Sequence, residues 1–193
     1  GGRRVCGCSD GVGALAYSEA TGGLPEVDVL PGEAGSGDEG AAMLEIVHDL
    51  APGAELGFAT AFGGVARFAQ NILDLAASGC QVIVDDVIYI VESPFEDGDI
   101  AAAVDEVTAQ GVLYLSSAGN EGNLADGTSG TWQGDFVAGP PLPALPGLEL
   151  LDFGGGAVAN LVLKSAPAVV LHWTDPFGTA ANDYDLYVLS GDL

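Results

Sequence analysis

Apolar positions recur along this chain in two rhythms. Residues 5–9 form a short apolar run that stops at Asp10-Gly11, which predicts a buried strand presenting Asp10 at its end. From Glu26 to Val29 acidic and apolar residues alternate, which predicts an edge strand over 26–30. After a Gly-rich loop, Asp38-Glu39-Gly40 opens a stretch with Ala42, Leu44, Ile46, Val47 and Leu50 at helical spacing, and Pro52-Gly53 ends it. Residues 55–60 predict a strand. Residues 65–77 predict a helix with Val65, Phe68, Ile72, Leu75 and Ala76 on one side, and 81–84 a buried strand running into Asp85-Asp86. Residues 99–110 predict a helix with Ile100, Ala103, Val104 and Val107 inward and Gly111 as its stop. Residues 112–115 are a last apolar run before Ser116-Ser117-Ala118-Gly119-Asn120-Glu121-Gly122. Residues 11–24 show no clear period.

Short apolar strands separated by helical segments are the pattern of βαβ units, so the expectation is an α/β fold with a parallel sheet and right-handed connections. Ligands bind such sheets at the carboxyl ends of the strands. That rim collects Asp10, Asp85, Asp86 and Asn120, with Glu39 brought by a helix start. After Gly122 the pattern changes. Residues 123–156 are rich in Gly, Pro, Asp and Ser, and short strand candidates follow at 157–163, 168–174 and 186–189. This predicts a small β-sandwich-like, all-β segment. The expected division is 1–125 for the α/β part and 126–193 for the β-rich part.

Composition narrows the classes. The 193 residues carry 28 acidic and four basic side chains, a net charge of -24, which argues against nucleic acid as a partner. No apolar run reaches the roughly 18 residues that span a bilayer, so no membrane is expected as partner. Cys6, Cys8 and Cys80 are too few for a metal centre and read as small core residues, with Cys6 and Cys8 on one face of their strand. Asp175, Asp183 and Asp185 are either turn acids or calcium ligands. No other cofactor is expected, and the oligomeric state is left open.

The candidate chemistry sits at three points. Asn120 is either an ordinary turn residue or a fixed N–H donor for a developing oxyanion. Asp38 and Glu39 are either the cap and first-turn charge of their helix or, for Glu39, a functional carboxylate. His48 lies nine residues further along, roughly 13 Å at helical rise, too far to share a small site with Glu39.

Three segments, in this order, resemble the subtilisin-like serine peptidases of the subtilase group. Residues 5–11 are similar to the segment bearing the catalytic Asp, here Asp10. Asp38-Glu39-Gly40-Ala41-Ala42-Met43, with the helix leading to Ala51-Pro52-Gly53-Ala54, resembles the catalytic-histidine segment. Ser117-Ala118-Gly119-Asn120-Glu121-Gly122 is close to the oxyanion segment. The chain departs from the pattern in carrying Glu39 where that family keeps His. A carboxylate base is the arrangement of the related sedolisins, although these generally carry Asp as the oxyanion residue. The resemblance implies a partial subtilisin-like sandwich, a polypeptide substrate, an extracellular location, and catalytic roles for Asp10, Glu39 and Asn120. It sets Asp86 along the substrate cleft as a possible second carboxylate. Gly127-Thr128-Ser129 matches the nucleophile segment in letters but stands only nine residues past Asn120 with no helix after it, so it reads as a loop. The resemblance therefore implies a serine-type endopeptidase fragment cut at both ends, with an inserted β domain and its nucleophile outside these residues. The alternative is a non-catalytic module of the same fold that binds peptide or a partner.

Overall fold

The structure is a computed structural model that describes residues 2–161 and 168–189. It divides into two compact units, Gly1–Gly119 and Asn120–Leu193.

The first unit is an α/β fold built on a five-stranded, all-parallel sheet with four helices. In chain order the elements are β1 (Arg4–Ser9), α1 (Leu15–Thr21), β2 (Val27–Val29), α2 (Glu39–Leu50), β3 (Glu55–Thr60), α3 (Val65–Ala77), β4 (Val82–Asp85), α4 (Asp99–Ala109) and β5 (Leu113–Ser116). The strand order is β2-β3-β1-β4-β5, with β1 at the centre and β2 at an edge, as its alternating pattern predicts. The stretch without a clear period contains α1. Gly22, with φ of +83°, ends that helix, as only a residue without Cβ does cheaply.

Alternation along β1 sends successive side chains to opposite faces. Cys6 and Cys8 join Ile83, Ala59 and the inner sides of α3 and α4 in one core. On the other face Gly7 lies against Met43 and Leu44 of α2, and Leu56 and Phe58 pack with Leu44, Val12 and Leu24. A Cβ at Gly7 would collide with Met43, so the glycine sets how closely α2 approaches.

This placement corrects the expectation that every connection is right-handed. The steps from β2 to β3, β3 to β4 and β4 to β5 all run the same way across the sheet, yet α2 lies on the opposite face from α3 and α4. The step from β1 to β2 runs the other way, with α1 on the face of α2. Three connections therefore share one hand and β2–α2–β3 has the other. Right-handed crossovers are nearly universal, which makes this one the left-handed exception. Its consequence is local: α2 begins on the face of β1 that carries Ser9, not the face that carries Cys8.

The cysteines also differ from expectation. All three are buried, but Cys6 and Cys80 form a disulfide, leaving Cys8 as a buried thiol. The bond ties β1 to the start of β4, which lie side by side with Val5 opposite Val82.

In the second unit the described residues form no helix and no strand of more than an isolated bridge, Ala138 with Leu151. Among the described residues the candidates at 168–174 and 186–189 have no partner strand, and 157–163 extends beyond the described residues. Local order there comes from side chains. Trp132 meets Phe153 edge-on and donates its indole N–H to the Phe153 carbonyl at 3.1 Å, and Tyr184 contacts both Phe136 and Trp173.

Candidate functional site

The site of the first unit lies where β1 ends and α2 begins. An α-helix leaves its first N–H groups without intrahelical partners and carries partial positive charge at that end. Here the partner comes from another element. One oxygen of the Asp10 carboxylate, Oδ1, accepts the backbone N–H of Glu39 at 3.1 Å and of Gly40 at 3.4 Å, and also that of Gly11. Asp10 is therefore the cap of α2, and Asp38, which the sequence offered for that role, makes no capping hydrogen bond.

The loop before α2 is shaped around Asp10. Ser36 N–H donates to the Asp10 carbonyl at 3.1 Å, and Gly11 bridges to Gly35. Gly37 has φ of +114° and lies so close to the Asp10 carboxylate that a Cβ there would overlap it. Gly37 is thus required twice, by conformation and by approach. The loop is pinned from outside by Glu33. Its carboxylate takes the Arg67 guanidinium at 2.8 and 3.0 Å and the Asn71 amide at 2.6 Å, and Asn71, itself buried, also donates to the Thr60 carbonyl at 2.8 Å. The Arg67 hydrogen bonds hold the Glu33 carboxyl below its usual range.

Glu39 occupies the first position of α2. Its Oε2 accepts the hydroxyl of Ser9 at 3.2 Å. Ser9 is fully buried, so this hydroxyl, although paired with a carboxylate in the manner of an activated nucleophile, has no access to a substrate. Asp10 and Glu39 are thus brought together at one helix N-terminus, one delivered by a strand and one by the helix.

The other predicted residues have other partners. Asp86 is exposed. Its N–H donates to the Cys8 carbonyl at 3.2 Å, and its charge acts on Asp85, whereas the Glu39 carboxylate bonds Ser9. Asp85, the residue before it, is buried on the α3–α4 face in register with Cys8 and Ser116. Burial pushes its carboxyl above the ordinary range, with the Tyr114 and Ser116 hydroxyls opposing. Of those two only Ser116 makes a well-formed hydrogen bond, at 2.8 Å. The same burial raises the Cys8 thiol and the Tyr114 hydroxyl. His48 lies in the last turn of α2, its Nδ1 buried without a partner, and takes no part in the site. Asn120 opens the second unit, exposed, with its backbone N–H on the Glu121 carboxylate at 2.8 Å. Ser129 turns back on Thr131 through two local hydrogen bonds. The Asp175 carboxylate is taken by the N–H groups of Ala181 and Asn182 and the Asn182 side chain. Among the described residues no group of three or more His, Cys, Asp or Glu is arranged to hold a metal ion, and no helix is long and apolar enough to cross a membrane.

The sequence reading missed Ser9 and Gly37. Ser9 was legible in principle, since alternation along β1 sets it on the opposite face from Cys8. The role of Gly37 depends on a contact 27 residues away and leaves no local signal.

No family model matches the chain, and comparison with the curated proteins and with the solved structures gives no match.

Proposed function

We propose that the first unit carries the carboxylate part of a subtilisin-like serine-type endopeptidase site, with Glu39 as base and Asp10 as its neighbour. The observation that supports it best is the convergence of Asp10 and Glu39 at the start of α2, with one Glu39 oxygen held by a buried hydroxyl. A base must be fixed in orientation before its proton affinity is useful. In this reading Asp86 borders the cleft of the first unit; for Asn120, in the second unit, the oxyanion-donor role is what the resemblance implies. The substrate is a polypeptide, the location extracellular, and no nucleophile is assigned within residues 1–193. The subtilisin-like sandwich belongs to the same proposal. So does the β-sandwich-like segment of 126–193, supported by the Ala138–Leu151 bridge and the aromatic contacts of Tyr184. Calcium at Asp175, Asp183 and Asp185 has no geometric support.

One observation favours the non-catalytic alternative: Asp10 spends Oδ1 on backbone donors. The two readings separate on the protein that carries this unit, assayed with a fluorescent-quenched peptide library and a serine-directed phosphonate probe. The peptidase reading expects turnover that Glu39→Gln reduces at least a hundredfold, in line with the 10²–10⁴-fold worth of general-base catalysis. Peptide binding without turnover or labelling would establish the binding module instead.

A further inference from the structure

We infer that Ser9 is a positioning residue that orients the Glu39 carboxylate, an inference that rests on the reading of Glu39 as the working base. Ser9 is the last residue of β1, fully buried, and its hydroxyl donates to Glu39 Oε2 at 3.2 Å. A buried hydroxyl needs a partner, and this one has chosen a side chain that is otherwise open to solvent. Glu39 has three rotatable side-chain bonds and would sample many rotamers on an exposed first turn. One charge-assisted hydrogen bond from rigid strand backbone removes much of that freedom. The backbone of Ser9 is itself fixed: its carbonyl accepts the Thr60 hydroxyl at 3.3 Å and the Ala61 N–H at 2.8 Å. The left-handed β2–α2–β3 crossover makes the contact possible, because a helix on the other face of the sheet would meet Cys8. The bond engages Oε2, and the Glu39 N–H is taken by Asp10, so Oε1 is the oxygen left to face a substrate.

The test needs no turnover. The 193-residue chain is labelled with ¹³C at glutamate side-chain carboxyls, and Glu39→Gln identifies the Glu39 resonance. Ser9→Ala is expected to move that resonance and leave the other glutamates in place, and Ser9→Thr, which keeps the hydroxyl, to restore it. A Glu39 resonance unchanged in folded Ser9→Ala overturns the inference. Should Ser9→Ala not fold, Ser9→Gly, which also removes the hydroxyl, carries the same two outcomes. In the protein that turns over peptide, Ser9→Ala is expected to lower kcat about tenfold or more with KM unchanged, as small misplacements of a catalytic group do. An unchanged kcat there overturns the positioning role while Glu39→Gln still tests the base. Failure of Glu39→Gln to lower kcat sinks the functional reading and leaves the Ser9–Glu39 contact to the resonance.

Discussion

Breaking the Cys6–Cys80 bond should cost this fold several kilocalories per mole. The bond joins residues 74 apart in sequence and encloses α1, β2, α2, β3 and α3 in its loop. Closing a loop of that length removes about 15 cal/mol/K from the unfolded chain, or about 4.5 kcal/mol at 25 °C in the chain-entropy account. The native cost of the bond is small by position, because β1 and β4 are hydrogen-bonded neighbours and the two Cα atoms already lie 5.9 Å apart. With a denaturant slope of about 2 kcal/mol/M, the urea midpoint should fall by about 2 M on reduction. The measurement is urea unfolding of the 193-residue chain, oxidised and reduced, followed by circular dichroism at 222 nm, since the four helices among the described residues lie in the first unit. Reduction removes no side-chain atom, and Cys6→Ala/Cys80→Ala serves as the irreversible control. Alkylation of the denatured chain should count one thiol, Cys8, before reduction and three after it. Three thiols before reduction, or a midpoint shift below about 0.5 M, would refute the reasoning.

Two further outcomes follow from one buried carboxyl and one close backbone approach. The Asp85 carboxyl is raised above its ordinary value by burial, so its contribution to stability is fully present below the unfolded value and is lost as pH rises through the folded one. Asp85→Asn keeps an oxygen acceptor for Ser116 and cannot ionise, so its stability relative to the parent should grow as pH rises through the acid range; a difference flat with pH in urea titrations would contradict this. Gly37→Ala sets a methyl group on the Asp10 carboxylate at a φ of +114° and should destabilise by about 2 kcal/mol or more, read as a drop in thermal midpoint. A midpoint within experimental error of the parent would mean that the loop does not cradle Asp10.

The element order was legible because periodicity is local. Strands alternate or run apolar, helices repeat at three and four, and Gly111 and Pro52-Gly53 punctuate them, so all five strands and three of the four helices of the first unit were readable to within a residue or two. Helix α1 was not, since Ala, Ser and Gly around Leu15 give no apolar stripe. The site was half legible. Asp10 and Glu39 stood out as acids at element ends, but the sequence offered Asp38 as the cap of α2. A cap from a distant strand satisfies the same N–H groups, and only the fold decides which carboxylate is nearer.

The chain by itself determined the alternation of strands and helices, the face of each strand, and the acidic balance of the surface, because each depends on neighbours within a few residues. Tertiary structure decided the rest: the bond between Cys6 and Cys80, the hand of the β2–α2–β3 crossover, and hence the meeting of Ser9 with Glu39. Those depend on which face a helix takes and which distant strand lies alongside, and neither leaves a trace in local spacing.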